Sequence, residues 1–110
     1  MVIKKQIEED NAETYQVIGT LTGSSAEDRL EAFMKSMLAG DGKDMIILDM
    51  EHVDAINSAC IGKLLLMKTR LQKQNKDMKI QSCNSRLLQT FKIIGAASLL
   101  NIDCTQDNES

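Results

Sequence analysis

The stretch Ile56-Asn57-Ser58-Ala59-Cys60-Ile61-Gly62 sets a lone serine between an apolar run and a long amphipathic segment. A serine at the start of a helix faces backbone N–H groups that lack intrahelical partners, and the positive end of the helix dipole. Two chemistries follow. As an N-cap, its hydroxyl accepts one of those N–H groups and contributes about 1 kcal/mol. As a phosphoacceptor, it would hold about −1.5 to −2 charges where helix N–H groups stabilise an anion. From spacing alone, the N-cap is the expected role.

The remaining reactive residues form weaker constellations. Asp49, Glu51 and Asp54 crowd the segment before Ser58, which reads as a loop. They suggest paired carboxylates for acid–base work or a Mg²⁺ site, though such a loop is more often simply solvated; alternatively they help attract a basic partner. His52 beside Ser58 invites a nucleophile–base reading, but no Gly-x-Ser-x-Gly motif supplies an oxyanion site. With a single histidine, and with Cys60, Cys83 and Cys104 widely spaced, a zinc site is not expected. The economical reading of the cysteines is structural thiols in a reduced cytoplasmic setting, with Cys60 an inert buried one. No metal, cofactor or catalytic group is therefore expected.

The elements that position Ser58 can be read from periodicity and punctuation. Ile3 to Ile7 and Thr14 to Gly19 suggest two strands joined by a polar turn, the first at an edge. Ser24-Ser25-Ala26-Glu27 reads as a capping box opening a helix, with Ala26, Leu30, Phe33, Met34 and Met37 on one stripe. Gly40-Asp41-Gly42 ends it. Met45 to Leu48 is a continuous apolar run, as in a strand covered on both faces. The longest helix is expected from Ala59 to about Asn75 and a further strand over Lys79 to Cys83. A third helix follows, capped by Asn84, striped by Leu87, Leu88, Phe91 and Ile94, and stopped at Gly95; Leu99 to Ile102 supplies a last strand. Alternation from Met45 onward implies parallel strands with crossover helices. The expected class is α/β with an α+β-like edge: one mixed sheet of roughly four to five strands with about three to four helices.

Length and charge bound the function. The chain has 110 residues, 43% hydrophobic and 26% charged, and a net charge of −3, which fits one globular domain. That domain is expected over residues 1–104, with 105–110 a solvated tail. The mild negative charge and 3% aromatics argue against nucleic acid as a partner. No run is long enough for direct insertion into a membrane, and the N-terminus lacks a signal-peptide core.

On a helix starting near Ser58, Cys60, Leu64, Met67 and Leu71 share the core face with Ile61 at its margin. Ser58, Gly62, Leu65, Leu66 and Thr69 fall on the opposite face, flanked by Lys63, Arg70 and Lys73. Two leucines there are either singly exposed side chains or part of a docking patch with a charged rim.

The set MIILDMEHVDAINSACIG and, later, KIQSCNSRLLQTFKIIGAASLLNI resembles the STAS domain of the anti-sigma factor antagonist family. Leu48-Asp49 matches the family's strand end, Ser58 its phosphoacceptor serine, Ile61-Gly62 its helix start, and Phe91 with Gly95 its last helix. Gly19-Thr20-Leu21-Thr22 resembles its Gly-x-Leu-Asp turn. The likeness runs from about Tyr15 to Ile102, and each motif taken singly is weak. The resemblance implies a cytoplasmic regulator of transcription, not an enzyme. Unphosphorylated, it would bind a serine kinase that doubles as an anti-sigma factor; phosphorylation at Ser58 would release it, and a serine phosphatase would restore binding. Asn57, Ser58, Gly62, Leu65, Leu66 and Thr69 would form the partner surface. Asn57 stands where the family has Asp, Cys60 where it has Gly, and Thr22 where the turn has Asp. If Asn57 takes the cap, Ser58 moves into the first turn with its hydroxyl freer. A second reading keeps the fold: an accessory subunit bracing the ATPase of a transporter, without obligatory phosphorylation.

Overall fold

The computed structural model describes residues 1–40, 43–95, 100 and 102–103. Its strands are β1 (Val2–Glu8), β2 (Ala12–Leu21), β3 (Met45–Ile56), β4 (Asp77–Gln81) and β5 (Ile102–Asp103). Its helices are α1 (Gly23–Ala39), α2 (Ser58–Gln72) and α3 (Ser85–Ile94). The strands form one sheet in the order β1-β2-β3-β4-β5. β1 runs antiparallel to β2, with Ile3 opposite Val17 and Glu8 opposite Glu13. Every later neighbour pairs in parallel, and each of those connections carries a helix. This is the expected mixed sheet with an antiparallel edge.

Alternation along the strands builds the core. Ile46, Leu48 and Met50 of β3, Tyr15 and Val17 of β2, and Met78 and Ile80 of β4 are all buried. They meet Ala26, Leu30 and Met34 from α1 and Cys60, Leu64, Met67 and Leu71 from α2. Tyr15 also stacks edge-on against Phe33, ring centroids 4.9 Å apart. Each fully buried Leu, Ile or Met contributes roughly 1.5–3 kcal/mol through removal from water. Lys68 is the one cation among the buried described residues, and its ammonium reaches Asp77 Oδ1 and the Met78 carbonyl, tying α2 to β4.

Four expectations are corrected. β3 does not stop near Asp49 but continues to Ile56, so Asp49, Glu51, His52 and Asp54 lie in a strand rather than a loop. The pairing shifts register between Gln16 and Ile18, placing an irregularity in β3 just where alternation fails. Beyond Asp49 the strand pairs with β2 alone, because the β4 register ends at Gln81. The Ser24–Glu27 capping box does not form. Gly23, at a φ of +90° that few side-chain-bearing residues adopt, already belongs to α1, with Thr22 as N-cap and no side-chain hydrogen bond. Ser24 thus falls in the first turn. α2 ends at Gln72, and Asn75, at φ +62°, turns the chain so that the Lys76 N–H donates to the Leu71 carbonyl at 2.9 Å. Finally, the thiols differ: Cys60 is free and buried, while Cys83 is disulfide-bonded. Asp41, Gly42, Leu99, Cys104 and the tail 105–110 lie outside the described residues.

Candidate functional site at the start of helix α2

Ile56 lies opposite Leu21, so β3 and β2 end side by side. The Asn57 N–H continues that pairing by donating to the Leu21 carbonyl at 3.1 Å. The backbone at Asn57 is extended (φ −103°, ψ 172°), its Oδ1 accepts from the Cys60 N–H at 2.9 Å, and its carbonyl accepts from the Ile61 N–H at 3.0 Å. Asn57 is therefore the N-cap, which corrects the spacing-based expectation that Ser58 takes that role. A short polar side chain before a helical residue is what that position requires.

Ser58 consequently occupies the first helical position, exposed, and its hydroxyl makes no hydrogen bond among the described residues. Of the donors at the helix start, Asn57 is satisfied by Leu21 and Cys60 by the cap. The N–H groups of Ser58 and Ala59 have no intrahelical acceptor. Asn57 performs the structural task, and Ser58 is left chemically available.

Down the same flank, Gly62, Leu66 and Thr69 are exposed, Leu66 at 41%. A Cβ built on Gly62 would meet nothing within 4 Å, so this face is open. Leu65 differs from the expectation: it is only half-exposed and packs against the edge of the core. Thr69 Oγ1 donates to the Leu65 carbonyl at 3.0 Å, so its polar group is satisfied within the helix. The opposite stripe is the core face as expected, with Cys60, Ile61, Leu64, Met67 and Leu71 buried.

The rim is built by two helices. Lys63 Nζ bridges to Glu31 Oε1 of α1 at 2.8 Å. The hydrogen bond to Glu31 raises the Lys63 ammonium above its ordinary range, and Lys63 in turn lowers the Glu31 carboxyl. Arg70 and Lys73 are exposed at the far end. Glu31 was not legible as part of this surface, because it lies 32 residues from Lys63 in the chain. Burial pushes the Cys60 thiol up, with Glu27 adding to it, so Cys60 is protonated and inert at neutral pH.

The acidic group does not assemble a centre. Asp49 is buried and accepts from the Glu51 N–H at 3.0 Å, while Glu51, His52 and Asp54 are exposed. His52 pairs with Ile18 in the sheet, and no hydrogen bond among the described residues joins it to Ser58. No cluster of metal-ligating side chains occurs among the described residues. No described helix is long and apolar enough to cross a membrane.

The model of the STAS domain family matches residues 4–108, and the chain belongs to that family. No curated protein matches it by sequence. Its fold is similar to that of the anti-sigma factor antagonist SpoIIAA in the unphosphorylated form, with a TM-score of 0.76 at 13% identity over 98% of this chain and 91% of the other. The Bacillus cell fate determinant SpoIIAA in the phosphorylated form gives 0.70 at 12% identity, covering 98% and 95%. The STAS domain of a SulP transporter from Vibrio cholerae gives 0.64 at 21% identity, covering 83% and 74%. At such identities the likeness is one of fold.

Proposed function

We propose that this protein is a phosphorylation-switched binding module, similar to an anti-sigma factor antagonist, rather than an enzyme. Its partner is a serine kinase that also acts as an anti-sigma factor. The observation that carries the reading is the division of labour at the start of α2. Asn57 caps the helix, so the exposed Ser58 hydroxyl can be modified without loss of a fold contact.

In the forward step, Ser58 Oγ attacks the γ-phosphorus of ATP and the bond to the β-phosphate oxygen breaks. ADP leaves, and the hydroxyl proton passes to a base of the kinase. The resulting phosphate lies within reach of the Ser58 and Ala59 N–H groups and the positive end of α2. A serine phosphatase reverses the step by adding water and releasing inorganic phosphate. The partner surface comprises Asn57, Ser58, Gly62, Leu66 and Thr69, with Leu65 contributing its exposed half. Placing a dianion at the border of an apolar contact raises the cost of desolvating it, and binding weakens. Cys60 in place of a smaller residue fills the core face and leaves the outer face unchanged.

The setting is cytoplasmic, where ATP is available; a disulfide at Cys83 would there exchange with the thiol pool. The second reading, an accessory subunit of a transporter ATPase without obligatory phosphorylation, has the fold likeness to a transporter STAS domain in its favour. The two separate on one comparison. If Ser58→Asp weakens binding to the native partner and Ser58→Ala does not, the switch stands. Equal binding by both variants points to the static subunit.

A further inference from the structure

α1 packs on β2 and against α2, on the face of the sheet from which Tyr15 meets Phe33. Ile3 projects on that side, since it sits opposite the buried Val17 and packs against the core. Between β1 and the outer flank of α1 lies an open groove of about 640 Å³. Its apolar part is Ile3, Ala32 and Phe33; its polar part is Ser24, Ser25, Asp28 and Arg29. The volume is in the range of pockets that hold drug-sized ligands, roughly 300–1,000 Å³.

Asp28 and Arg29 decide the chemistry. They carry opposite charges on neighbouring residues of α1; Arg29 makes no ion pair or hydrogen bond among the described residues, and Asp28 makes none within bonding distance, only a longer-range attraction to Lys63. Consecutive residues on a helix do not face each other, so the two cannot close on one another as an i,i+4 pair would. A lone anion meeting Arg29 would meet repulsion from Asp28, and a lone cation the reverse. A neutral head group would use neither charge. We propose that this groove binds a small zwitterionic amphiphile. Its apolar chain lies on Ile3, Ala32 and Phe33, its anionic group meets the Arg29 guanidinium, and its cationic group meets the Asp28 carboxylate. Ser24 and Ser25, displaced from capping because α1 begins at Gly23, offer hydroxyls to the head group. No residue of this groove belongs to the patch around Ser58, although the Asp28 carboxylate feels the Lys63 ammonium on the rim of that patch.

The test is a titration of the isotopically labelled protein with monomeric dodecylphosphocholine, below its micelle concentration, followed by amide chemical shifts. Dodecyl phosphate, dodecyltrimethylammonium and dodecyl maltoside serve as anionic, cationic and neutral comparisons. Saturable shifts confined to β1 and to α1 between Ser24 and Phe33 are expected, with the zwitterion bound about tenfold more tightly than each comparison. Arg29→Gln and Asp28→Asn should each lose about tenfold in affinity, the size expected for one charge-assisted contact. Both side chains are exposed, so both variants fold. Ala32→Trp should fill the groove and abolish binding. Vesicles of phosphatidylcholine present the same head group: binding to monomer alone makes a free amphiphile the source, and binding to both makes it membrane-borne. Binding to vesicles alone, equal binding of the maltoside, shifts elsewhere, or an absence of saturation would overturn the proposal.

Discussion

Replacing Asn57 with Ala should cost the protein far more than replacing its neighbour Ser58. Asn57 Oδ1 accepts the Cys60 N–H at 2.9 Å. Loss of such a cap costs about 0.5–2 kcal/mol, typically about 1. For a chain of 110 residues that corresponds to a fall of about 4 °C in the thermal midpoint. Ser58→Ala removes a hydroxyl with no partner at an exposed position, and its effect should stay within about 0.5 kcal/mol. Asn57→Asp keeps a capping oxygen and should hold stability near that of the wild type, while making phosphate on Ser58 less favourable through like-charge repulsion. Thermal unfolding and urea titration of the three variants, followed by far-UV circular dichroism, give the ranking. Should Ser58→Ala cost as much as Asn57→Ala, the hydroxyl belongs to the cap and the division of labour at this helix start is wrong.

Asn84→Ala should cost more than Asn57→Ala in the same assay. Asn84 both caps α3 through the Leu87 N–H at 2.8 Å and donates to the Val53 carbonyl at 3.3 Å. Leu64→Ala, at a side chain with no exposure, should destabilise by about 2–5 kcal/mol. Leu66→Glu and Gly62→Glu should leave the midpoint nearly unchanged yet abolish partner binding in a pull-down; if Leu66→Glu unfolds the protein as badly as Leu64→Ala, the faces are reversed. Asp77 should contribute to acid unfolding. Burial raises its carboxyl, but the Lys68 ammonium and the Met78 N–H outweigh this and hold it below the ordinary value of 3.8. A carboxyl depressed in the fold contributes stability above pH 3.8 that is lost as pH falls through the folded value. Asp77→Asn should therefore be less stable than wild type at neutral pH, and the gap should close below pH 3.8 in urea titrations.

Much of the scaffold was readable because local signals agreed. The stripes of α2 and α3, the cap at Asn84 and the left-handed stop at Gly95 follow from residue type and spacing, whereas spacing puts the α2 cap at Ser58 and the structure puts it at Asn57. The second half of β3 was hidden. Its acidic and histidine residues read as a loop, and only pairing with β2 across the register shift makes them a strand. The start of α1 was misplaced because Ser-Ser-Ala-Glu satisfies a capping pattern, whereas the left-handed backbone of Gly23 sets the boundary two residues earlier than a helix starting at Ser25. The surface around Ser58 was only half legible. Leu65 turns partly into the core, and Glu31 reaches the rim through a contact that no local pattern encodes. Lys68 carried a signal: it sits one turn beyond Leu64, on the buried stripe.

The central claim rests on what happens to Ser58 in the company of its own partner. The wild-type protein is used as bait in extract of its own host, the captured complex is given ATP, and the bait is mapped by phosphopeptide mass spectrometry. The account predicts one phosphoryl group, on Ser58, accompanied by release of the partner and an unchanged circular dichroism spectrum. Ser58→Ala should stay bound under the same treatment, and Ser58→Asp should bind weakly from the outset. An unmodified Ser58 with partner and ATP present, together with wild-type binding by Ser58→Asp, would contradict it.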